Sequence, residues 1–387
     1  MASAAFIVKL FKFIVLYFYL TNRSFMFQIS IQSRKTETMS LKVKAICLQF
    51  MLIGSFLLFW LCGCAQESFP QVDQLLNDNQ KNLGYNFIAM VWKDGKMIYV
   101  KQMEKQIGDF NAKTQVPIGS CSQWMTAALV MTFVDEGKLS LDDKVSKYIP
   151  IFAKYMKSYI TIRNCLTNTT GIQADPVGPM KLLQKNKYQT LEDEVNSFAS
   201  KREIAANPGT EVYYSHVGPN IAGRVLEVIS KKSYDRLMQE RIIRPLKMRA
   251  TTFADENGGA VNPYGGGQST ANDYMNFLIM LLNKGEFQGK RILSEKSVEE
   301  IETAQFPQLP VKSAPKGSEA FPNGLGTTIE HGNVVCNLNL SGTWPYIDKC
   351  RNYAAIIMVK SPDEPKKEIY DKFKRAIDSG LGGACPN

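Results

Sequence analysis

Opening an amide or ester with a side chain takes three things. A hydroxyl or thiol must attack the carbonyl, a base must take its proton, and N–H groups must hold the oxyanion. In this 387-residue chain the best-placed hydroxyl is Ser120, in Pro117-Ile-Gly-Ser-Cys-Ser-Gln-Trp124. It opens an apolar helix expected from Trp124 to Glu136 and stopped by Gly137. A helix N-terminus favours developing negative charge, although serine is also an ordinary helix cap. Cys121 is a second nucleophile by type, but its helical position points away from that of Ser120, so packing or a disulfide is the expected role. Gln123 lies one turn from Ser120 on the same face. Its amide does not titrate near neutral pH and cannot serve as a base. Histidines are scarce: His216 in Tyr214-Ser-His216, and His331 in a Glu-His-Gly-Asn turn that reads as a loop. Histidine is the side chain suited to proton transfer at neutral pH. No Cys-x-x-Cys pair or histidine cluster is present, so neither a metal nor a cofactor is expected. Gly265-Gly-Gly267 lacks phosphate-loop surroundings and reads as backbone flexibility.

Such residues need a frame, and the apolar periodicity predicts one. A helix over 67–83 carries Phe69, Val72, Leu75 and Leu76. Two strands, 86–92 and 97–103, face each other across Lys93-Asp-Gly-Lys96, whose Asp-Gly pair suits a tight hairpin. Helical stretches follow at 190–201, 218–231, 233–243, 271–284 and 294–303. Short apolar strands return at 334–340, 343–347 and 353–359, before an amphipathic closing helix over 364–380. This order predicts an α/β fold of the α+β kind. An antiparallel sheet, flanked by N- and C-terminal helices, receives an inserted helical lobe. The sheet lobe is expected at about 67–118 and 320–387 and the helical lobe at about 119–319. There is no internal repeat.

Composition narrows the function classes. At 45% hydrophobic and 21% charged, the chain can bury a large core. Its formal charge of +10 suggests nucleic acid at first sight, but residues 1–63 hold seven Lys or Arg and one acid. What remains is 39 bases against 35 acids, scattered rather than tracked, and no nucleic-acid partner is expected. Residues 41–64 have a basic start, an apolar run and the ending Leu61-Cys-Gly-Cys64, which is secretory grammar. The ending resembles a bacterial lipobox and implies export, with Cys64 lipidated and the mature chain, 64–387, anchored to a bacterial membrane and facing periplasm or cell surface. A transmembrane anchor is the competing reading. Met39 begins a complete signal by itself and is the expected start. Beyond Cys64 lie five cysteines, at 121, 165, 336, 350 and 385. Export permits disulfides, and an odd number leaves at least one thiol free.

The run from Pro117 to Pro150 resembles the nucleophile region of the class C β-lactamase family, with its D-alanyl-D-alanine peptidases and esterases. The resemblance continues through Ile160–Ile172, Tyr214-Ser-His216, Gly223–Phe253, Gly267–Asp273 and Gly342–Asp348, in family order. It implies a β-lactamase/transpeptidase-like fold, with Ser120 and Tyr214 as catalytic residues and with Ser120 and Leu340 supplying the oxyanion-hole N–H groups. The family pairs its serine with a lysine in Ser-x-x-Lys, adds Tyr-x-Asn, and closes the site with Lys or His-x-Gly. Here Gln123 replaces the lysine, His216 the asparagine, and Asn337-Leu-Asn339 the closing motif. Asn168 replaces a common histidine, and Lys247 a common glycine. The implied function is an acyl-enzyme serine hydrolase of amides or esters, impaired by Gln123. Two alternatives stand beside it: a pseudoenzyme that binds a cell-wall peptide or a protein partner, and an esterase rewired through His216. Drift in a silent site is the plainer account of His216. Trp92, Trp124 and Trp344 read as core or cleft wall.

Overall fold

The computed structural model describes residues 69–174, 188–255, 258–315, 318–330, 334–337, 342–360, 367–383 and 385. The expected sheet is present. Strands β1 (Phe87–Lys93) and β2 (Lys96–Met103) form the hairpin, and Asp94 and Gly95 both adopt positive φ, 48° and 82°. A two-residue turn whose twist matches its strands requires this, and Asp-Gly allows it. Four later strands complete the sheet: β3 (Thr328–Glu330), β4 (Val334–Cys336), β5 (Thr343–Asp348) and β6 (Tyr353–Val359). The order is β2-β1-β6-β5-β4-β3, with β1 antiparallel to β6 from Phe87↔Val359 to Lys93↔Tyr353. Strand β3 was not anticipated, since three residues are too few for a visible alternation. The strand expected over 334–340 ends at Cys336, and 338–341 lie outside the described residues.

Strand alternation separates two cores. In β6, Tyr353, Ala355, Ile357 and Val359 face one side, while Ala354, Ile356 and Met358 face the other. The first side is covered by α1 (Pro70–Asp78) and by the closing helix, which buries Ile369, Tyr370, Phe373 and Ile377. Helix α1 is shorter than the 67–83 expected. It starts on Pro70 and its C-cap is Asn79, and Gly84 and Tyr85 turn the chain with φ of 66° and 58°.

The second face carries the inserted helices. Helix α2 (Ser122–Asp135) is buried nearly all round, so its lack of an apolar stripe marks a central helix rather than a surface one. Helix α4 (Val217–Ser230) packs on it, α3 (Leu191–Lys201) packs on α4, and α5 (Ala271–Leu282) meets it where Phe277 lies edge-on to Trp124. Helix α5 packs on β6 and ties to the Gly119–Cys121 turn, where the Tyr274 hydroxyl donates to the Cys121 carbonyl at 3.0 Å. The closing helix, α6, spans Lys367–Leu381. Among the described residues, no helix is long and apolar enough to cross a membrane. Cys350 and Cys385 form a disulfide, while Cys121, Cys165 and Cys336 are buried free thiols.

One buried acid makes stability depend on pH. Glu302 is 6% exposed, with Lys349 at 3.5 Å and one carboxylate oxygen unpartnered among the described residues. Burial pushes its carboxyl up to about 7, and Lys349 offsets only part of this. The folded state therefore holds a proton that the unfolded chain releases. Its stabilising effect is fully present below the unfolded carboxyl range and is lost as pH rises through about 7. Between pH 5 and 8 the wild type is expected to lose on the order of 2 kcal/mol relative to Glu302→Gln. Urea denaturation of both proteins at both pH values measures this, and parallel changes would remove Glu302 as the cause.

Candidate active site

Ser120 sits in the 3-10 turn Gly119–Cys121 that leads into α2, with Gly119 at φ 48°. Its hydroxyl is nearly enclosed, at 6% residue exposure, and donates to Asn337 Oδ1 at 3.2 Å. One turn along, the Gln123 amide donates to the Tyr214 hydroxyl at 2.7 Å. Its carbonyl accepts from Asn168 Nδ2 at 3.2 Å, and Asn168 Oδ1 in turn accepts from the Ser215 backbone N–H at 3.2 Å. The Tyr214 ring is half-buried, but its hydroxyl lies within hydrogen-bonding reach of Ser120 and Asn337. Asn337 Nδ2 donates to the Gly326 carbonyl at 3.0 Å. The structure brings Ser120 and Gln123, one turn apart, together with the distant Tyr214 and Asn337.

Two backbone features hold this cluster. Asn168 adopts φ 59°, a left-handed conformation that asparagine tolerates better than most residues. Gly326, at φ 67°, lets its loop lie against α2, where a Cβ would stand 2.5 Å from the Gln123 carbonyl oxygen. The loop is fixed from the other side by the Gly326 N–H to the Leu166 carbonyl at 2.8 Å. In the sequence Asn168 stands out only as a departure from the family pattern, and no sequence signal marks Gly326.

The reading of Gly265–Gly267 as flexible backbone needs correction. The Gly267 N–H donates to Ser122 Oγ at 3.0 Å and its carbonyl accepts from the Ile118 N–H at 2.9 Å. A Cβ there would meet Ser122 Oγ at 2.8 Å and Ile118 at 2.9 Å. Gly267 thus permits close approach to the Ser120 turn. Cys121 is a packing residue: its thiol is fully buried, points to the carbonyls of Asn337 and Thr343, and is pushed well up by burial. A protonated buried thiol is a poor nucleophile. Trp124 and Trp344 are buried and Trp92 is partly buried against the core, as expected of wall residues.

The chemistry available is narrow. Amides, hydroxyls and backbone groups carry the network. Burial pushes the Tyr214 phenol well up, against the smaller opposing effect of its hydrogen bonds to Ser120, Gln123 and Asn337, so it stays protonated at neutral pH. His216 occupies the N-cap position of α4 without a side-chain cap bond, its ring edge-on to Phe198 at 5.3 Å and to Tyr264 at 6.4 Å between centroids. Tyr264 also meets the Tyr214 ring at 5.9 Å, so the three rings line one wall. Asn339, Leu340, His331 and Cys64 lie outside the described residues.

Comparison with known proteins gives a consistent pattern. Residues 76–378 match the profile of the family described as Beta-lactamase. The chain is 28% identical over 199 residues to Protein flp of Staphylococcus aureus strain MW2, covering 49% of this chain and 39% of that protein. It is 26% identical over 215 residues to a putative D-alanyl-D-alanine carboxypeptidase of Escherichia coli K12, covering 49% of this chain and 48% of that one. The matches therefore span less than half the length of these relatives. A solved putative β-lactamase from Bacteroides dorei DSM 17855 superposes with a TM-score of 0.69 at 24% identity, over 80% of this chain and 98% of that chain.

Proposed function

This chain belongs to the β-lactamase family, and on that premise we propose that it keeps the serine-hydrolase scaffold as a binding cleft for a carbonyl-bearing ligand while transferring protons poorly. The observation that carries this reading is Gln123. It stands one turn from Ser120, where the reaction needs a base, and its amide is bonded on both sides, to Tyr214 and to Asn168. The serine hydroxyl meets an amide oxygen of Asn337, which cannot accept its proton in a productive step. The ligand class proposed is an amide or ester of a cell-wall peptide, in line with the D-alanyl-D-alanine carboxypeptidase name of one relative. A protein partner would fit the same role. Catalysis rewired through His216 is the competing reading, but the ring contacts with Phe198 and Tyr264 support a wall position instead.

Mass spectrometry after incubation with a penicillin or a fluorophosphonate tests this. Little or no adduct on Ser120 is expected over minutes, whereas rapid stoichiometric acylation would return the chain to the active hydrolases. The same spectra, taken on membrane-extracted protein, bear on the proposed export and anchoring. Cleavage before Cys64 with a diacylglycerol adduct supports them, and an unmodified N-terminus elsewhere removes them.

A further inference from the structure

The segment 144–159 is built unlike the surface around it. It holds four lysines, three tyrosines and a methionine, and no acid. Its base is stapled by the Val145 N–H to the Ile160 carbonyl at 2.9 Å, Ser146 Oγ to the Ser158 carbonyl at 3.1 Å, and a bridge between Lys144 and Thr161. Ile149 and Phe152 are sunk in the core, so the tip is preformed. Lys157 is drawn inward, its Nζ donating to the Ala199 carbonyl at 2.8 Å. The other three lysines face solvent, beside the exposed Tyr155, Met156 and Tyr159. Lys154 stands over the Tyr155 ring and Lys144 Nζ reaches the Tyr159 carbonyl, so charge and apolar surface share one face. Asp143, paired with Lys147 at 2.8 Å, is a nearby countercharge.

Met156 sharpens the point. The short helix Ile151–Lys154 ends with the Lys157 N–H bonded to the Phe152 carbonyl and the Met156 N–H to the Ala153 carbonyl. That is a Schellman ending, in which the left-handed residue is usually glycine. Here it is Met156, at φ 60° and 80% exposed. The fold gains nothing from a methionine there, because its side chain is in solvent and its backbone is in a conformation that costs a side-chain-bearing residue energy. Apolar and aromatic side chains ringed by lysines match the boundary of an anionic bilayer, where tyrosine sits at headgroup level and lysine meets phosphate.

We propose that the 144–159 tip docks on an anionic lipid surface, inserting Tyr155, Met156 and Tyr159 among the headgroups while Lys144, Lys147 and Lys154 meet lipid phosphates. This is independent of the reading of the Ser120 site. The test is backbone hydrogen exchange on the full chain, reconstituted in phosphatidylcholine vesicles or in equal parts phosphatidylcholine and phosphatidylglycerol. The N-terminal region, with seven Lys or Arg in residues 1–63, itself favours the anionic vesicles, so the readout is protection at the tip amides and its loss in the tip variants. Amides of the tip should gain protection only with phosphatidylglycerol. Each lysine-to-glutamine change at 144 or 154 should weaken that protection about fivefold, and Tyr155→Ser with Met156→Ser should abolish it. Met156→Gly gives a separate readout: the folding equilibrium constant should rise about fivefold while protection falls. Equal exchange in the two vesicles overturns the proposal. So does equal protection by soluble polyphosphate, which would mark a charge-only site, or protection that scales with protein concentration in neutral vesicles, which would mark self-association.

Discussion

A chromogenic cephalosporin is expected to survive incubation with the wild-type protein, and an activated ester to be cleaved only slowly. A positioned general base is worth about 10²–10⁴ in rate, or roughly 3–5 kcal/mol of barrier. In this site the groups nearest the Ser120 hydroxyl are an amide oxygen of Asn337 and the Tyr214 phenol, whose burial keeps it protonated. Restoring the base is not a single step. In Gln123→Lys the new ammonium can only donate, and it would face Asn168 Nδ2, which also donates. Turning the Asn168 amide would relieve that clash but strip the Ser215 N–H of its acceptor. Gln123→Lys alone should therefore raise ester hydrolysis little. Gln123→Lys with His216→Asn and Asn339→Gly should raise it further, since the three motifs act on one proton and one carbonyl. Steady-state rates on an ester and a cephalosporin measure both claims. Ordinary enzyme rates in the wild type would overturn the impaired-site reading, and their loss in His216→Ala, with the fold intact, would put the histidine in its place.

Gly326→Ala is expected to cost about 3 kcal/mol or more of stability. Two costs coincide there. The backbone is left-handed, at φ 67°, and the new Cβ would lie 2.5 Å from the Gln123 carbonyl oxygen, 2.8 Å from its carbon and 3.2 Å from the Trp124 nitrogen. All three are backbone atoms of a helix buried nearly all round, so none can swing aside. Gly137→Ala is the control, because it shares φ 67° but has open space around its Cβ position. It should cost only the conformational part, about 1 kcal/mol. Urea unfolding of the two variants isolates the crowding, and equal losses would show that α2 yields after all. Gly326→Ala should also disturb Asn337, whose amide rests on the Gly326 carbonyl, and through it the Ser120 hydroxyl.

Much of this architecture was legible in the residues themselves. Asp94-Gly95 announced its hairpin, and the alternation in 353–359 announced a strand. The helix ends were less legible, because α1 stops where Asn79, Gly84 and Tyr85 turn the chain, against an apolar pattern that would allow another turn. In the site, the ordered motifs singled out Ser120, Gln123, Tyr214 and Asn337. The pairing of Gln123 with Asn168 was hidden, since it depends on how the loop before Thr169 folds back on α2. Gly267 was misjudged for the same reason: a glycine needed for close approach looks, in sequence, like one needed for freedom.

The sheet joins strands far apart in the chain, and that sets a timetable for its making. Phe87 pairs with Val359, so the hairpin leaves the ribosome 272 residues ahead of its partner strand. At about 5–20 residues per second the gap lasts roughly 15–50 s. Throughout it the edge of β1, with Ile88, Met90 and Val91, lacks its neighbour β6. An unpaired apolar edge invites pairing with other chains. A nascent chain of this topology carries that open edge until β6 has been made.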